Sequence, residues 1–151
     1  MNIVKGDLIK LAMDGEFDVI IHGCNCFCAM GAGIAVAIKS EFPEAYKADL
    51  ATPKGDKSKL GTFSSATVLK EDNEITVVNA YTQFNWKGRG NKADYEAIRM
   101  VFSEIKSQYS GKRIGYPLIG AGLAGGDWNI ISAIIEKALS NENHTLVQYA
   151  P

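Results

Sequence analysis

Short β-type apolar segments alternate with segments of helical periodicity along this chain, and that alternation restricts the possible folds more than any other feature. Residues 17–23 contain the continuous apolar run Val19-Ile20-Ile21, which is typical of a strand buried on both faces. Ile34, Ile38 and Phe42 then repeat at fourfold spacing before Pro43, which predicts a helix that ends there. The alternation predicts an α/β domain with helices on both faces of a mixed, mostly parallel sheet.

The remaining segments continue this alternation to the C-terminus. Asp94 can cap a helix over 95–109, and Asp127 can cap a second helix that carries five apolar residues at helical spacing. Residues 47–60, with Pro53, Gly55 and four lysines, are predicted to be a solvated connection. Besides 17–23, the predicted strands are 2–6, 63–70, 74–83, 113–119 and 144–150.

Length and charge exclude several classes of protein. The 151 residues suit one domain, predicted here as 1–151, and the net charge of −1 gives no overall attraction to nucleic acid or to anionic membranes. Met1 leads directly into the first predicted strand, and no apolar run approaches the roughly 20 residues that span a bilayer. We therefore expect a soluble, cytoplasmic, monomeric protein with no membrane partner and no sequence-specific nucleic-acid partner.

Three cysteines lie within five residues, at Cys24, Cys26 and Cys28. Their spacing does not match the paired Cys-x-x-Cys knuckles of zinc sites, and three neighbouring thiols cannot form a disulfide framework. We expect small, partly buried thiols in a reducing compartment, with a reactive thiolate as the alternative. No metal is expected.

Two glycine-rich stretches follow predicted strands and lead into helices. One spans Met30–Ala35 (MGAGIA) and the other spans Ile119–Gly126 (IGAGLAGG). Ligands of open α/β sheets bind beyond the carboxyl ends of the strands, and N–H groups at a helix start favour phosphate. Two such loops at equivalent strand ends predict a diphosphate that is held from both sides.

Neither loop fits the common nucleotide motifs. Residues 120–125 match G-x-G-x-x-G, but only one helix and one strand follow them, and that strand ends without the acidic residue that binds the ribose. A P-loop is also excluded because neither loop is followed by Lys-Ser or Lys-Thr.

The order of motifs resembles the macrodomain family of ADP-ribose-binding α/β modules. The resemblance rests on KGDL, VIIHGCN, GAGIA and PLIGAGLAGGDW, and it spans nearly the whole chain. These motifs are most similar to the small branch that holds ADP-ribose 1″-phosphate phosphatases and the terminal ADP-ribose protein glycohydrolase. The resemblance implies a three-layer α/β/α domain that takes ADP-ribose or ADP-ribose 1″-phosphate as a small-molecule ligand and needs no cofactor.

The resemblance also assigns ligand-binding residues. Asp7, beside Leu8, matches the acid that accepts a hydrogen bond from the adenine amino group, and a turn or helix cap is its alternative role. Asn25 matches the asparagine that holds the distal ribose, and an Asx-turn is its alternative role. The diphosphate and distal ribose are expected on the two loops, at Gly31, Ala32, Gly33 and Ile34 and at Gly120, Ala121, Gly122, Leu123 and Ala124.

Two side chains are candidates for catalysis. We expect His22 at the mouth of the crevice, where an imidazole can exchange a proton near neutral pH, or else a histidine that orients the loop through a backbone hydrogen bond. Asp127 follows the second loop, and an N-cap is its alternative role. Gln83 and Asn85 are further candidates for ligand bonds, and Tyr81, Phe84 and Trp86 for packing on the ribose or base.

The sequence departs from the glycohydrolase pattern at two points. That enzyme relies on a lysine on the strand matching 77–83 and on an aspartate after Gly-Leu, whereas this chain has no lysine there and has Ala124. The departures favour removal of the terminal phosphate of ADP-ribose 1″-phosphate. Removal of ADP-ribose from modified protein or nucleic acid, and non-catalytic reading of ADP-ribose, remain the alternatives.

Overall fold

A computed structural model describes residues 1–88 and 90–151 and contains one six-stranded sheet between two layers of helices. The strands are β1 (Asn2–Gly6), β2 (Val19–Cys24), β3 (Phe63–Lys70), β4 (Asn73–Tyr81), β5 (Arg113–Tyr116) and β6 (Asn143–Tyr149). The helices are α1 (Leu8–Met13), α2 (Ile34–Glu41), α3 (Pro43–Leu50), α4 (Tyr95–Tyr109) and α5 (Trp128–Ala138). The α/β prediction is confirmed.

The sheet has the strand order β1-β6-β5-β2-β4-β3. Every neighbouring pair is parallel except β3 and β4, which form an antiparallel hairpin across the turn at Glu71 and Asp72. The sheet is therefore mixed and mostly parallel, as predicted. Five strands point their carboxyl ends at the same edge.

Alternation along the central strands gives each helical layer its own core. Val19 and Ile21 pack with α4 and α5, whereas Ile20 packs with α1, α2 and α3. Because a strand projects successive side chains to opposite faces, a short apolar run serves both layers. The longest described helix, α4, has 15 residues, and no described helix is long and apolar enough to cross a membrane.

The prediction of a solvated connection over 47–60 is wrong in two respects. The segment begins inside α3, and Lys59 is only 5% exposed. The Lys59 ammonium donates to the Cys26 carbonyl at 3.1 Å and lies 4.6 Å from the centre of the Tyr81 ring. Groups that are distant in sequence therefore stabilise the charge of Lys59, although composition alone predicts that this lysine is exposed to solvent. Helix α1 was also not predicted, because its six residues are too few for a clear periodicity.

Candidate functional site

A cleft runs along the edge of the sheet at which the parallel strands end. It consists of two adjoining cavities, of about 730 Å³ and about 480 Å³. Both cavities are lined by Gly33, Ile34, Pro117, Val147 and Tyr149. These shared walls make the two cavities one continuous cleft.

The order of the strands in the sheet distinguishes the two ends of this cleft. The smaller cavity begins beside Asp7, directly after the edge strand β1, and the larger one reaches Asn25 after β2 and Gln83 after β4. The ends of β6 and β5 lie between them, at Tyr149 and Pro117. We call the Asp7 side the proximal end and the Asn25–Gln83 side the distal end.

The first glycine loop forms the start of α2. Gly31, Ala32, Gly33 and Ile34 all line the larger cavity, and their contact with a ligand stays a prediction. Gly33 has φ +61°, which only glycine adopts readily, and no side chain caps the helix there. By contrast, Asp7, Asp94 and Asp127 cap α1, α4 and α5. The N–H groups at the start of α2 are therefore free for a ligand.

The second glycine loop lies across the cleft from the first. Gly120, Gly122, Leu123 and Ala124 line the larger cavity. Within the described residues, the amides of 122–124 have no hydrogen-bond acceptor in the protein, whereas Gly125 and Gly126 donate to Gly122 and Gly120. A Cβ built on Gly33 would lie 3.6 Å from Leu123 Cδ1, so the two loops approach each other closely.

Ala121 is an exception within the second loop. It does not line either cavity, and it packs against the core beneath α4 and α5. Its predicted contact with the ligand stays a prediction. The loop turns at Gly120, which has φ +72°, and directs the next side chain inward.

Asp7 and Leu8 lie at the proximal end of the cleft. Asp7 Oδ1 accepts hydrogen bonds from the amides of Ile9 and Lys10, at 3.0 Å and 3.2 Å, so the helix-cap role is confirmed. Both Asp7 and the buried Leu8 also line the smaller cavity. The cap uses one carboxylate oxygen, and the adenine role of the other stays a prediction.

Asn25 lines the larger cavity and also closes its own loop. Its Oδ1 accepts from the Phe27 amide at 2.9 Å, and its Nδ2 donates to the Ala29 carbonyl at 3.0 Å. The Asx-turn is therefore confirmed. These bonds hold the amide in one orientation, and its role at the distal ribose stays a prediction.

The expected position of His22 at the mouth of the crevice is wrong. Strand β2 continues for two residues to Cys24, so His22 lies inside the sheet with its side chain fully buried. Its Nε2 lies 2.7 Å from Asn79 Oδ1. Burial lowers the pKa of His22, and the bond to Asn79 opposes this in part. The imidazole is thus held neutral, away from the lining of either cavity.

Asp127 caps α5 and lies outside the cleft. Its Oδ1 accepts from the Asn129 amide at 2.9 Å, and its own amide donates to the Tyr95 hydroxyl at 3.0 Å. The side chain lines neither cavity. The cap role is confirmed, and the structure gives no support to contact with a ligand.

The three cysteines are free and buried, as expected, and Cys24 also lines the larger cavity. Burial raises the pKa of the Cys24 thiol well above its ordinary value, so the thiolate alternative is disfavoured. Among residues 1–88 and 90–151, no group of three His, Cys, Asp or Glu side chains is placed to hold a metal ion.

The segment after β4 contributes fewer lining residues than predicted. Gln83 and Trp86 line the larger cavity, whereas Asn85 does not. Tyr81 is buried and donates from its hydroxyl to Asp49 Oδ1 at 2.7 Å. Phe84 packs edge-on against Phe27.

Sequence reasoning missed several lining residues, among them Lys92 and Tyr149. Tyr149 is the last residue of β6, so the rule that ligands bind at carboxyl ends of strands was sufficient to find it. Lys92 lies well beyond the end of β4 and reaches the cavity because its amide donates to the Ala124 carbonyl at 2.6 Å. No local sequence pattern predicts that contact.

The comparison with known protein families decides the assignment. The Macro domain family matches residues 21–135, which include both glycine loops, most of β2 and all of β3, β4 and β5. The chain belongs to the Macro domain family.

Relatives of this macrodomain match it over nearly its full length. A 17.5 kDa protein of the tk-vs intergenic region of Enterobacteria phage T4 is 34% identical, over 98% of this chain and 96% of its own. The ADP-ribose 1″-phosphate phosphatase of Meyerozyma guilliermondii is 25% identical, over 91% and 93%. The ADP-ribose glycohydrolase OARD1 of Bos taurus is 29% identical, over 97% and 88%.

Solved structures share the architecture of this macrodomain. The macrodomain of Mycobacterium tuberculosis DarG has a TM-score of 0.71 and 19% identity, over 99% of this chain and 97% of its own. At that identity the likeness concerns the fold, and it agrees with the three-layer arrangement described above.

Proposed function

We propose that this macrodomain binds ADP-ribose derivatives along the cleft and removes the terminal phosphate of ADP-ribose 1″-phosphate. The observation that carries the proposal is the pair of glycine loops facing each other across the larger cavity, with the uncapped start of α2 on one side and the free amides of 122–124 on the other. Main-chain N–H groups converging from two sides suit a diphosphate.

The proposal gives the ligand a single orientation along the cleft. Adenine lies at the proximal end, where the free oxygen of the Asp7 carboxylate accepts from its amino group, and Leu8 packs against the ring. The distal ribose lies at the other end, beside the amide of Asn25. The 1″ position then falls near Gln83 and Lys92.

The proposed reaction is the attack of water on the phosphorus of the 1″-phosphate. The bond between phosphorus and the O1″ oxygen breaks, ADP-ribose leaves with that oxygen, and inorganic phosphate is released. N–H groups of the loops stabilise the charge on the transferred phosphoryl group. In this proposal His22 supports the end of β2 through Asn79, and Asp127 holds the start of α5.

Release of phosphate from ADP-ribose 1″-phosphate tests the proposal directly. We expect phosphate and ADP-ribose as the products, and Asp127→Ala is expected to retain the rate of the parent protein. If the purified protein binds the nucleotide but releases no phosphate, the result supports a non-catalytic reader of ADP-ribose. A large loss of rate in a well-folded Asp127→Ala variant would restore the catalytic role of that residue.

A second function, removal of ADP-ribose from a modified macromolecule, is favoured by one observation. The strand matching 77–83 lacks the lysine of the glycohydrolase pattern, but Lys92 brings an amine into the larger cavity from another segment. Relatives named as ADP-ribose glycohydrolases match nearly the whole chain. Incubation with an ADP-ribosylated protein separates the two activities, because this reaction yields free ADP-ribose without inorganic phosphate.

A further inference from the structure

The distal end of the cleft carries an uncompensated positive charge. Among the lining residues that the structure describes, Lys92 is the only one with a formally charged side chain in the larger cavity. The polar lining residues Asn25 and Gln83 are neutral amides, and burial keeps the Cys24 thiol neutral by raising its pKa. Among the described lining residues of the larger cavity, one ammonium group therefore supplies the formal charge.

Lys92 is held in place by its backbone and by its side chain. Its amide donates to Ala124 of the second glycine loop, and its Nζ donates to the carbonyls of Gly88 and Gly90, each at 3.2 Å. The Gly90 carbonyl lies against Gly125, where a built Cβ would approach it to 3.0 Å. The ammonium is thus fixed against the loop expected to bind the diphosphate.

No carboxylate neutralises this ammonium. Within 1–88 and 90–151, no Asp or Glu oxygen lies within 4.0 Å of Lys92 Nζ. An ammonium has three N–H donors, and the two carbonyl bonds leave one of them for a ligand. Lys92 is half-buried, and an anionic group that a ligand brings into the larger cavity can accept a charge-assisted hydrogen bond from its remaining donor.

We infer that Lys92 is the specificity residue that distinguishes ADP-ribose derivatives with an anionic group at the 1″ position from ADP-ribose itself. The inference rests on the proposed function, because that proposal places the 1″ position at the distal end. A phosphate there accepts a charge-assisted hydrogen bond from Lys92, whereas a neutral hydroxyl gains much less. The substrate class is therefore 1″-phosphorylated ADP-ribose rather than ADP-ribose in general.

Calorimetric titration with ADP-ribose and with ADP-ribose 1″-phosphate tests this inference. We expect Lys92→Met to weaken binding of the phosphorylated ligand about 10- to 100-fold. Binding of ADP-ribose should change by less than about threefold. Lys92→Arg keeps the charge and is expected to keep the preference.

Lys87→Met is the matched control. Lys87 belongs to the same segment, but its Nζ lies over the exposed Trp86 ring at 5.4 Å and the residue does not line the cleft. Its loss should leave both affinities unchanged. Equal melting temperatures of the Lys92 variants and the parent protein would show that the segment is still folded.

The outcomes separate the two proposals. If Lys92→Met weakens both ligands equally, the residue only tethers the loop, and the inference is overturned while the proposed ligand stands. If it weakens neither, or if Lys87→Met produces the same loss, the inference is overturned as well. If the parent protein binds neither nucleotide, the proposed function fails and this inference fails with it.

Discussion

Asn79 is a fully buried polar residue on β4, and several other groups depend on its side chain. Its Oδ1 bonds to His22 Nε2, and its Nδ2 donates to the Ala45 carbonyl at 2.9 Å and to Ser64 Oγ at 3.0 Å. All of its side-chain hydrogen-bonding capacity serves the interior. The residue therefore links β4 to β2, α3 and β3.

Replacement of Asn79 should be costly because its partners lose their hydrogen bonds at a position that is buried from solvent. We expect Asn79→Ala to lower the free energy of unfolding by about 2–4 kcal/mol. Urea denaturation followed by circular dichroism measures the change. Asn143→Ala, at an exposed position in β6, is the control and should stay within about 0.5 kcal/mol of the parent. A loss for Asn79→Ala as small as that of the control would contradict this role.

The helices differ in whether a side chain accepts hydrogen bonds from the free amides of their first turn. Aspartate side chains accept the first free amides of α1, α4 and α5, whereas α2 begins at Gly33 without such a cap. A capped helix needs no ligand at its start. Of the two described α-helices that start without a side-chain cap, α2 and α3, the start of α2 lines the cleft, where an anion can reach it.

The second glycine loop provides a test of close packing within one element. A Cβ on Gly126 would lie 2.5 Å from the Gly120 carbonyl oxygen, whereas a Cβ on Gly122 has no neighbour within 4 Å. We expect Gly126→Ala to destabilise the protein by about 1–3 kcal/mol, because the loop must shift.

Gly122→Ala is the matched control, since it adds the same methyl group to the same loop in open space. Thermal unfolding should separate the two variants, with a clear drop in melting temperature for Gly126→Ala only. Equal melting temperatures would mean that the loop is not packed as described.

At the scale of the whole molecule, the two histidines lie on opposite faces of the sheet, and both are buried. His22 lies beneath the helices α1–α3, and His144 packs beside α5, with its Nδ1 2.7 Å from the Tyr116 hydroxyl. Burial lowers the pKa of each. For His144 the N-terminal amine adds to the decrease, while Glu136 and Glu142 oppose it.

These lowered pKa values predict a loss of stability at mildly acidic pH. The unfolded chain takes up protons on its histidines below a pKa of about 6.5, and the folded protein resists this uptake. The free energy of unfolding should therefore fall as the pH decreases from 6.5, by up to about 1.4 kcal/mol per pH unit for each histidine.

Urea denaturation at pH 7.5, 6.5 and 5.5 measures this dependence. The carboxyl groups of Asp18, Glu136 and Glu142 also have lowered pKa values, but these act below the ordinary carboxyl pKa of about 4 and outside this range. His144→Gln should reduce the slope to about half, because one of two titrating groups is removed. A stability that is flat between pH 7.5 and 5.5 would contradict the prediction.

The amino-acid sequence by itself determined the order of the six strands and of α2, α4 and α5, and the chain positions of the two glycine loops. It also determined the aspartate caps of α4 and α5. These features depend on local physics: β-branched runs, helical periodicity, side-chain caps and the conformational freedom of glycine act within a few residues. The same local rules predicted a binding cleft at the carboxyl ends of the strands, where the structure has its two adjoining cavities.

Only the tertiary structure decided which side chains reach that site. His22 turned out to be buried because β2 runs past it to Cys24, and Lys92 reached the cleft through a bond to Ala124. Lys59 became buried by contacts with Cys26 and Tyr81. Each outcome depends on groups far apart in the chain, whose contacts form only when the whole sheet is assembled.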